Sequence, residues 1–256
     1  MRGRCSEKRH IGGTAFVLLL CAALLFPAVY IAVGALSHPG GLYRVFIRQP
    51  DYLYKFWKTL ALDIVVVGCQ ILVSCLGGFA FAKFTFRWKR GLFFLMIVLM
   101  MLPVQATLVP NYIILDRLRL LNTWAALALP CIFLPFGTVL MTQAFRSVPD
   151  EVLDAARMDG ANTWQTLWQV LVPASRGGVI SLILLTFVDV WNMVEQPMVF
   201  LQDAADYPLS VFLAVVNRTD LPLSFAGGLL SMLPTLLLLL YFRDELAEGV
   251  TFTGVN

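Results

Sequence analysis

Six long apolar runs, separated by short polar stretches, leave this chain few possible folds. They cover roughly residues 11–36, 56–82, 92–115, 123–145, 179–201 and 222–242. Each reaches the ~20 residues that carry a helix across a hydrocarbon core. Backbone polar groups find no water there, so such runs bond internally as helices. Of all residues 59% are hydrophobic and 14% charged. With a mean hydropathy of +0.78, the expected class is an all-α membrane protein with six transmembrane helices.

Charge placement orients the runs. The segment ahead of the first run holds Arg2, Arg4, Lys8 and Arg9, and the loop after the second holds Lys83, Arg87, Lys89 and Arg90. With both termini cytoplasmic, inside segments carry twelve Lys or Arg and outside segments seven, the sign that the positive-inside rule requires. A cleavable signal peptide is the rival reading of the first run, because Val33-Gly34-Ala35 resembles a cleavage site. At 26 residues the run is well beyond the ~7–15 of a signal core, so it reads as a span, kinked at Pro27. The net charge of +3 gives no reason to expect nucleic acid, and the basic loop reads as a segment between spans.

Within the spans the patterns point to packing. Ser74, Gly78 and Ala82 recur every four residues, a small-residue stripe that admits a close helix neighbour. Pro103 and Pro110 interrupt the third run, with Gln105 and Asn111 beside them. Of five cysteines, Cys21, Cys69, Cys75 and Cys131 lie in apolar runs with no ligand spacing, so they read as packing residues and no metal is expected. His10 and His38 lie away from any nucleophile–base pair, so no catalytic residue and no cofactor is expected. Three regions follow: 1–55 with the first span and an outside loop, a five-helix core over 56–242, and a tail over 243–256.

One polar interlude, residues 146–178, cannot continue through lipid: Asp150, Glu151, Asp154, Arg157 and Asp159 make that too costly. Pro149 fits a first helical position with acids behind it, and Gly160 falls where a helix of about eleven residues ends. Asn162 can cap a second helix through Trp164, Leu167, Trp168 and Leu171, stopping near Pro173. The expectation is a helix–bend–helix on the membrane face.

The segment DAARMDGANTWQTLWQVLVP resembles the EAA loop of permease subunits of binding-protein-dependent ABC importers. Asp154, Ala155, Ala156, Asp159, Gly160, Ala161 and Pro173 fall at that pattern's spacing. MMLPVQATLVPNYIILDRLRLLNTW and WNMVEQPMVF resemble segments of the carbohydrate, maltose-permease-like class. The resemblance spans about residues 56–249. It implies the ABC importer permease fold, with Glu151, Asp154, Ala155, Ala156, Arg157, Asp159, Gly160 and Ala161 forming a coupling surface for an ATPase. It also implies a second permease subunit, two ATP-binding ATPase subunits, an extracytoplasmic solute-binding protein and a place in a bacterial cell membrane. Three departures stand out. Asp154 replaces the usual Glu, Gly177 replaces a common proline, and the tail lacks the usual basic ending.

The residues supply a rationale for that division of labour. No GxxxxGK[ST] phosphate loop is present, so ATP hydrolysis falls to a partner and the chain is not an enzyme. The small Ala155 and Ala156 let a helix seat in a groove, and the flanking charges can fix its register. In the fifth run Asp189, Asn192 and Glu195 step by three and share a wedge of ~120° on a continuous helix. With Trp191 offering an apolar face, they are candidates for a path for a sugar or other polyhydroxylated solute. Their structural alternative is hydrogen bonding between helices. A proton-coupled secondary transporter using Asp189 and Glu195, or an importer permease for another nutrient, are the remaining readings. A secondary transporter commonly shows an internal repeat, which is not visible here.

Overall fold

The computed structural model describes residues 3–45, 50–216, 221–243 and 245. Positions 1–2, 46–49 and 217–220, and 244 and 246–256 of the tail expected over 243–256, lie outside them. Among the described residues every regular element is helical. Four helices are long and apolar enough to cross a membrane, or up to six if two bent pairs each count as one span. The chain divides into two compact units, Met1–Leu53 with Leu213–Leu233, and Tyr54–Phe212 with Pro234–Asn256.

The first unit contains α1 (Gly3–Ser37), which runs unbroken through Pro27, and the short α2 (Pro39–Tyr43). A side chain at Gly34 would come within 2.8 Å of the Phe225 ring, so the missing Cβ sets this approach. The buried Tyr52 hydroxyl donates to the Gly227 carbonyl at 2.9 Å, giving a polar atom inside an apolar setting its partner.

In the second unit α3 (Pro50–Lys83) starts six residues before the expected position of the second span. Its inward face is polar down its length: Lys55, Thr59, Asp63, Gln70 and Ser74 are all buried. Near one end Lys55 Nζ donates to the carbonyls of Ala204 and Ala205 at 3.0 and 2.7 Å. Lys58 pairs with Asp206 at 2.7 Å and holds that carboxyl below its ordinary range, first by its hydrogen bond. The stretch between the fifth and sixth apolar runs is not a plain loop: it carries the apolar helix α12 (Leu209–Val216).

The expected third span is two helices, α4 (Lys89–Met100) and α5 (Val104–Arg117), bent by 107° at their junction. Pro103 has no N–H for the carbonyl four residues back and its ring collides with that carbonyl. It therefore sits extended, at φ −65° and ψ 146°, and caps α5. Pro110 is tolerated inside α5. The fourth span is also interrupted, as α6 (Trp124–Ile132) and α7 (Pro135–Arg146), because Leu134 precedes a proline and takes an extended conformation.

The small-residue stripe of α3 meets α7. A Cβ on Gly78 would stand 2.7 Å from Met141 Cβ and 2.9 Å from its carbonyl carbon, and one on Gly77 2.8 Å from a Thr138 methyl. A Cβ on Gly137 would collide with the Ser74 hydroxyl oxygen in return. Small residues on both helices thus let the two backbones approach, and in lipid such packing contacts replace the hydrophobic drive available in water.

After α7 come α8 (Asp150–Met158), α9 (Thr163–Ala174) and α10 (Arg176–Trp191), with 81° between the last two. The fifth span thus ends at Trp191, not at 201. Pro197 would clash with the Met193 carbonyl in a continued helix, and the chain restarts as α11 (Glu195–Phe200). The sixth span is α13 (Leu221–Tyr241), with α12 preceding it.

Candidate functional site

The helix–bend–helix over 146–178 is present and its ends are chemically defined. Pro149 is the residue just before α8, one place ahead of its expected position, and Asp150 and Glu151 occupy the first turn. Acids there meet the positive end of the helix dipole. At the other end Gly160 adopts φ +81°. Its N–H donates to the Arg157 carbonyl and that of Ala161 to the Ala156 carbonyl, both at 3.0 Å. This is a Schellman turn, which favours glycine because other residues are strained at positive φ. Asn162 then opens α9 with a reciprocal cap: its Oδ1 accepts from the Gln165 N–H and its own N–H donates to Gln165 Oε1, both at 2.9 Å. Thr166–Leu171 within α9 form a π-helical stretch, a distortion frequent at functional sites.

Only one side chain of α8, Leu153, is buried. It joins a core with Phe79, Met141, Phe145, Leu167, Leu171 and Leu182. The helix is thus pinned from beneath by one leucine. Above, Glu151, Asp154, Ala155, Arg157, Asp159 and Gly160 are exposed, and Ala156 and Ala161 half-buried. Asp154 pairs with Arg157 at 3.0 Å, with both side chains about two-thirds exposed. A pair so solvated contributes little stability, ~0–1 kcal/mol, and is free to exchange partners.

Three apolar residues on this surface escaped the sequence reading. Met158 is 88% exposed, Trp164 59% and Val152 40%. Apolar side chains projecting from a helix that is otherwise acidic mark a protein contact surface more than a solvated linker. For Val152 and Met158 the signal was available, since neither shares the face of Leu153 on α8.

Lys83 is the second omission. From the end of α3 its ammonium donates to Asp150 Oδ1 at 2.7 Å and to the Val148 carbonyl at 2.8 Å. This ties the start of α8 to the second span. The hydrogen bond from Lys83, then its charge, holds the Asp150 carboxyl below its ordinary range. The tie is therefore complete at neutral pH and is lost only as pH falls through that lowered value. Lys83→Met is expected to loosen the start of α8 against α3 while leaving the other helices folded. The check is amide hydrogen exchange over 150–158, which should quicken.

The proposed wedge in the fifth span is not one surface. Asp189 is exposed on α10, but Asn192 lies just past its end at φ −98° and ψ 6°, and Glu195 begins α11. The Asn192 amide donates back to the Val188 carbonyl at 2.8 Å, closing the helix end. Trp191 is 4% exposed, stacked on Phe187 and edge-on to Phe56, with each pair of centroids 5.5 Å apart. Its aromatic face is therefore covered. Glu195 instead meets Gln105, whose Nε2 donates to its two carboxylate oxygens at 2.8 and 3.0 Å. The two stand on α11 and α5, each just after a break in a span, and both are exposed. Asp63 is fully buried in α3, with neither carboxylate oxygen bonded among the described residues.

No group of three or more His, Cys, Asp or Glu able to hold a metal occurs among the described residues.

Residues 73–243 match the family model described as the binding-protein-dependent transport system inner membrane component. Similar proteins include the diacetylchitobiose uptake system permease protein NgcG of Streptomyces coelicolor, 31% identical, with 98% of this chain and 91% of the relative covered. The lactose transport system permease protein LacG of Rhizobium radiobacter is 27% identical, over 91% of this chain and 92% of its own. In three dimensions the chain superposes with a TM-score of 0.82 at 20% identity on one from a bacterial ABC transporter involved in the import of the acidic polysaccharide alginate. That match covers 95% of this chain and 98% of the other. With two-thirds of its length inside the family model and a full-length relative above 30% identity, the chain belongs to the family of binding-protein-dependent transport system inner membrane components.

Proposed function

We propose that this membrane subunit forms half of a translocation path for a sugar or oligosaccharide and is driven by a separate ATPase docked on α8 and α9. The observation that carries the reading is the exposed surface of Glu151, Val152, Asp154, Ala155, Met158 and Asp159, held over one buried leucine and ended by a glycine-dependent turn. It combines small residues, an apolar tip and charges, which suits a groove on a partner better than water. The direct passage of α9 into α10 across one 81° bend and the Lys83 tie to α3 give any push on α8 two routes into the membrane. The pairing with a solute-binding protein follows from the family. A second permease subunit, two ATPase subunits and cytoplasmic termini complete the proposal.

The sugar assignment draws on the carbohydrate-transporting relatives and on the residues that remain exposed. Glu195 and Gln105 offer acceptors and donors to hydroxyl groups at the start of two broken helices, whereas the Trp191 ring is packed against Phe187 and Phe56. Asn192→Ala is expected to leave substrate affinity unchanged, because its amide serves the helix end. Glu195→Gln and Gln105→Ala are expected to weaken uptake affinity by about tenfold, the scale of one charge-assisted hydrogen bond. Uptake of labelled disaccharides by membranes carrying each variant measures this.

Isolation from native membranes tests the whole reading. A nucleotide-hydrolysing subunit and a second membrane subunit should accompany the protein, and a sugar should be taken up with ATP consumption. Transport by the chain with no ATPase attached contradicts it.

A further inference from the structure

We propose that the recess between the α3–α4 loop and the end of α7 is a binding site for the headgroup of an anionic phospholipid. Its volume is about 720 Å³, and Arg87, Lys89, Arg90 and Arg146 line it together with Phe86, Phe93, Phe94 and Ile97. Four cations and no acid meet there. Lys89 is engaged locally, donating to the Phe84 carbonyl at 2.7 Å. The Arg146 guanidinium lies 4.8 Å above the Phe93 ring, held there by a cation–π contact. Arg87, Arg90 and Arg146 are exposed, with no ion pair for any of them among the described residues. Arg146 ends α7, whereas Arg87 lies in the α3–α4 loop and Lys89 and Arg90 open α4, so the recess is a product of the fold and not of one basic run.

The occupant follows from the mixture of side chains in the lining. Arg87, Lys89 and Arg90 stand where α4 begins, and Arg146 lies over Phe93 further along it. Phe93, Phe94 and Ile97 belong to an apolar helix with no buried residue. Cations set among apolar side chains match an amphiphile with a phosphate head and acyl chains, whereas a soluble anion or an acidic protein loop has no use for the apolar residues. Trp88, 69% exposed between Arg87 and Lys89, sits where tryptophan favours the membrane–water boundary. Basic pockets at the edge of membrane helices gain affinity for anionic headgroups at about fivefold per Lys or Arg.

The test uses the full-length protein with whatever subunits it retains, observed by native mass spectrometry. Dioleoylphosphatidylglycerol, dioleoylphosphatidylcholine and inorganic phosphate are titrated separately. The wild type should bind the glycerol lipid at least about tenfold tighter than the choline lipid. Arg87→Gln with Arg90→Gln should reduce that preference to less than about twofold, and Arg90→Gln alone should lower it about fivefold. Arg117→Gln with Arg119→Gln, which removes equal charge elsewhere, should leave it unchanged. Absence of preference in the wild type, or its persistence in both recess variants, overturns the proposal. So does inorganic phosphate displacing the lipid at millimolar concentration, which marks a simple anion site. Loss of a retained subunit with lipid preference intact assigns the recess to a protein partner and overturns it too.

Discussion

Gly160→Pro combined with Asp154→Lys is expected to abolish solute uptake and the retention of an ATPase while leaving the helical bundle folded. The first change is decisive on conformational grounds. Gly160 sits at φ +81°, whereas proline is fixed near −65°, so the Schellman turn cannot form and α9 leaves α8 at a different angle. No atom lies within 4 Å of a Cβ built at this position, so the effect is on the backbone and not on packing. Gly160→Ala is accordingly an intermediate case, with a strain of about 1–2 kcal/mol. The second change reverses a charge on the exposed face and sets Lys beside Arg157. Unaltered helix content with lost ATPase retention and background uptake is the expected pattern. Survival of both functions removes the coupling role from this loop.

Gly78→Leu has the opposite signature, because its effect falls on the fold. The leucine Cβ is forced to within 2.7 Å of Met141 Cβ and 3.0 Å of the Thr142 nitrogen, distances that α7 can relieve only by moving away. Thr142 is buried and its hydroxyl donates within α7 to the Thr138 carbonyl at 2.7 Å, so the strain falls on the helix as a whole. Overpacking of this kind costs about 1–3 kcal/mol or more. Because α7 leads directly into 147–149 and α8, both fold and coupling surface should go together. Membrane-inserted protein should drop severalfold and lose its thermal transition, while Gly68→Leu, with nothing within 4 Å, should be tolerated.

The contrast between these sites and the candidate substrate path shows where sequence reasoning has purchase. Apolar length announces spans because the bilayer sets it, and the bend at Gly160 was legible because cap, glycine and acids are neighbours in the chain. Apolar length does not reveal whether a run crosses straight. The fifth run extends to Leu201 in the sequence, yet α10 stops at Trp191 and the chain restarts at Glu195, with Pro197 unable to continue the first helix. The angular wedge computed for Asp189, Asn192 and Glu195 therefore joined residues from different elements. Pro103 carried the same warning at the junction of α4 and α5. Lys83 with Asp150 and Gln105 with Glu195 are 67 and 90 residues apart, and no local pattern pairs them. Met158 was legible in principle as a methionine off the buried stripe.

The central claim is that force made by another polypeptide enters the membrane helices through α8 and α9. A photo-crosslinking residue placed at Ala155, in assemblies isolated from native membranes, tests it most directly. The account predicts a single dominant adduct to a nucleotide-hydrolysing subunit, diminished by Gly160→Pro. Adducts confined to lipid or to other membrane subunits, in assemblies that still take up solute with ATP, contradict it.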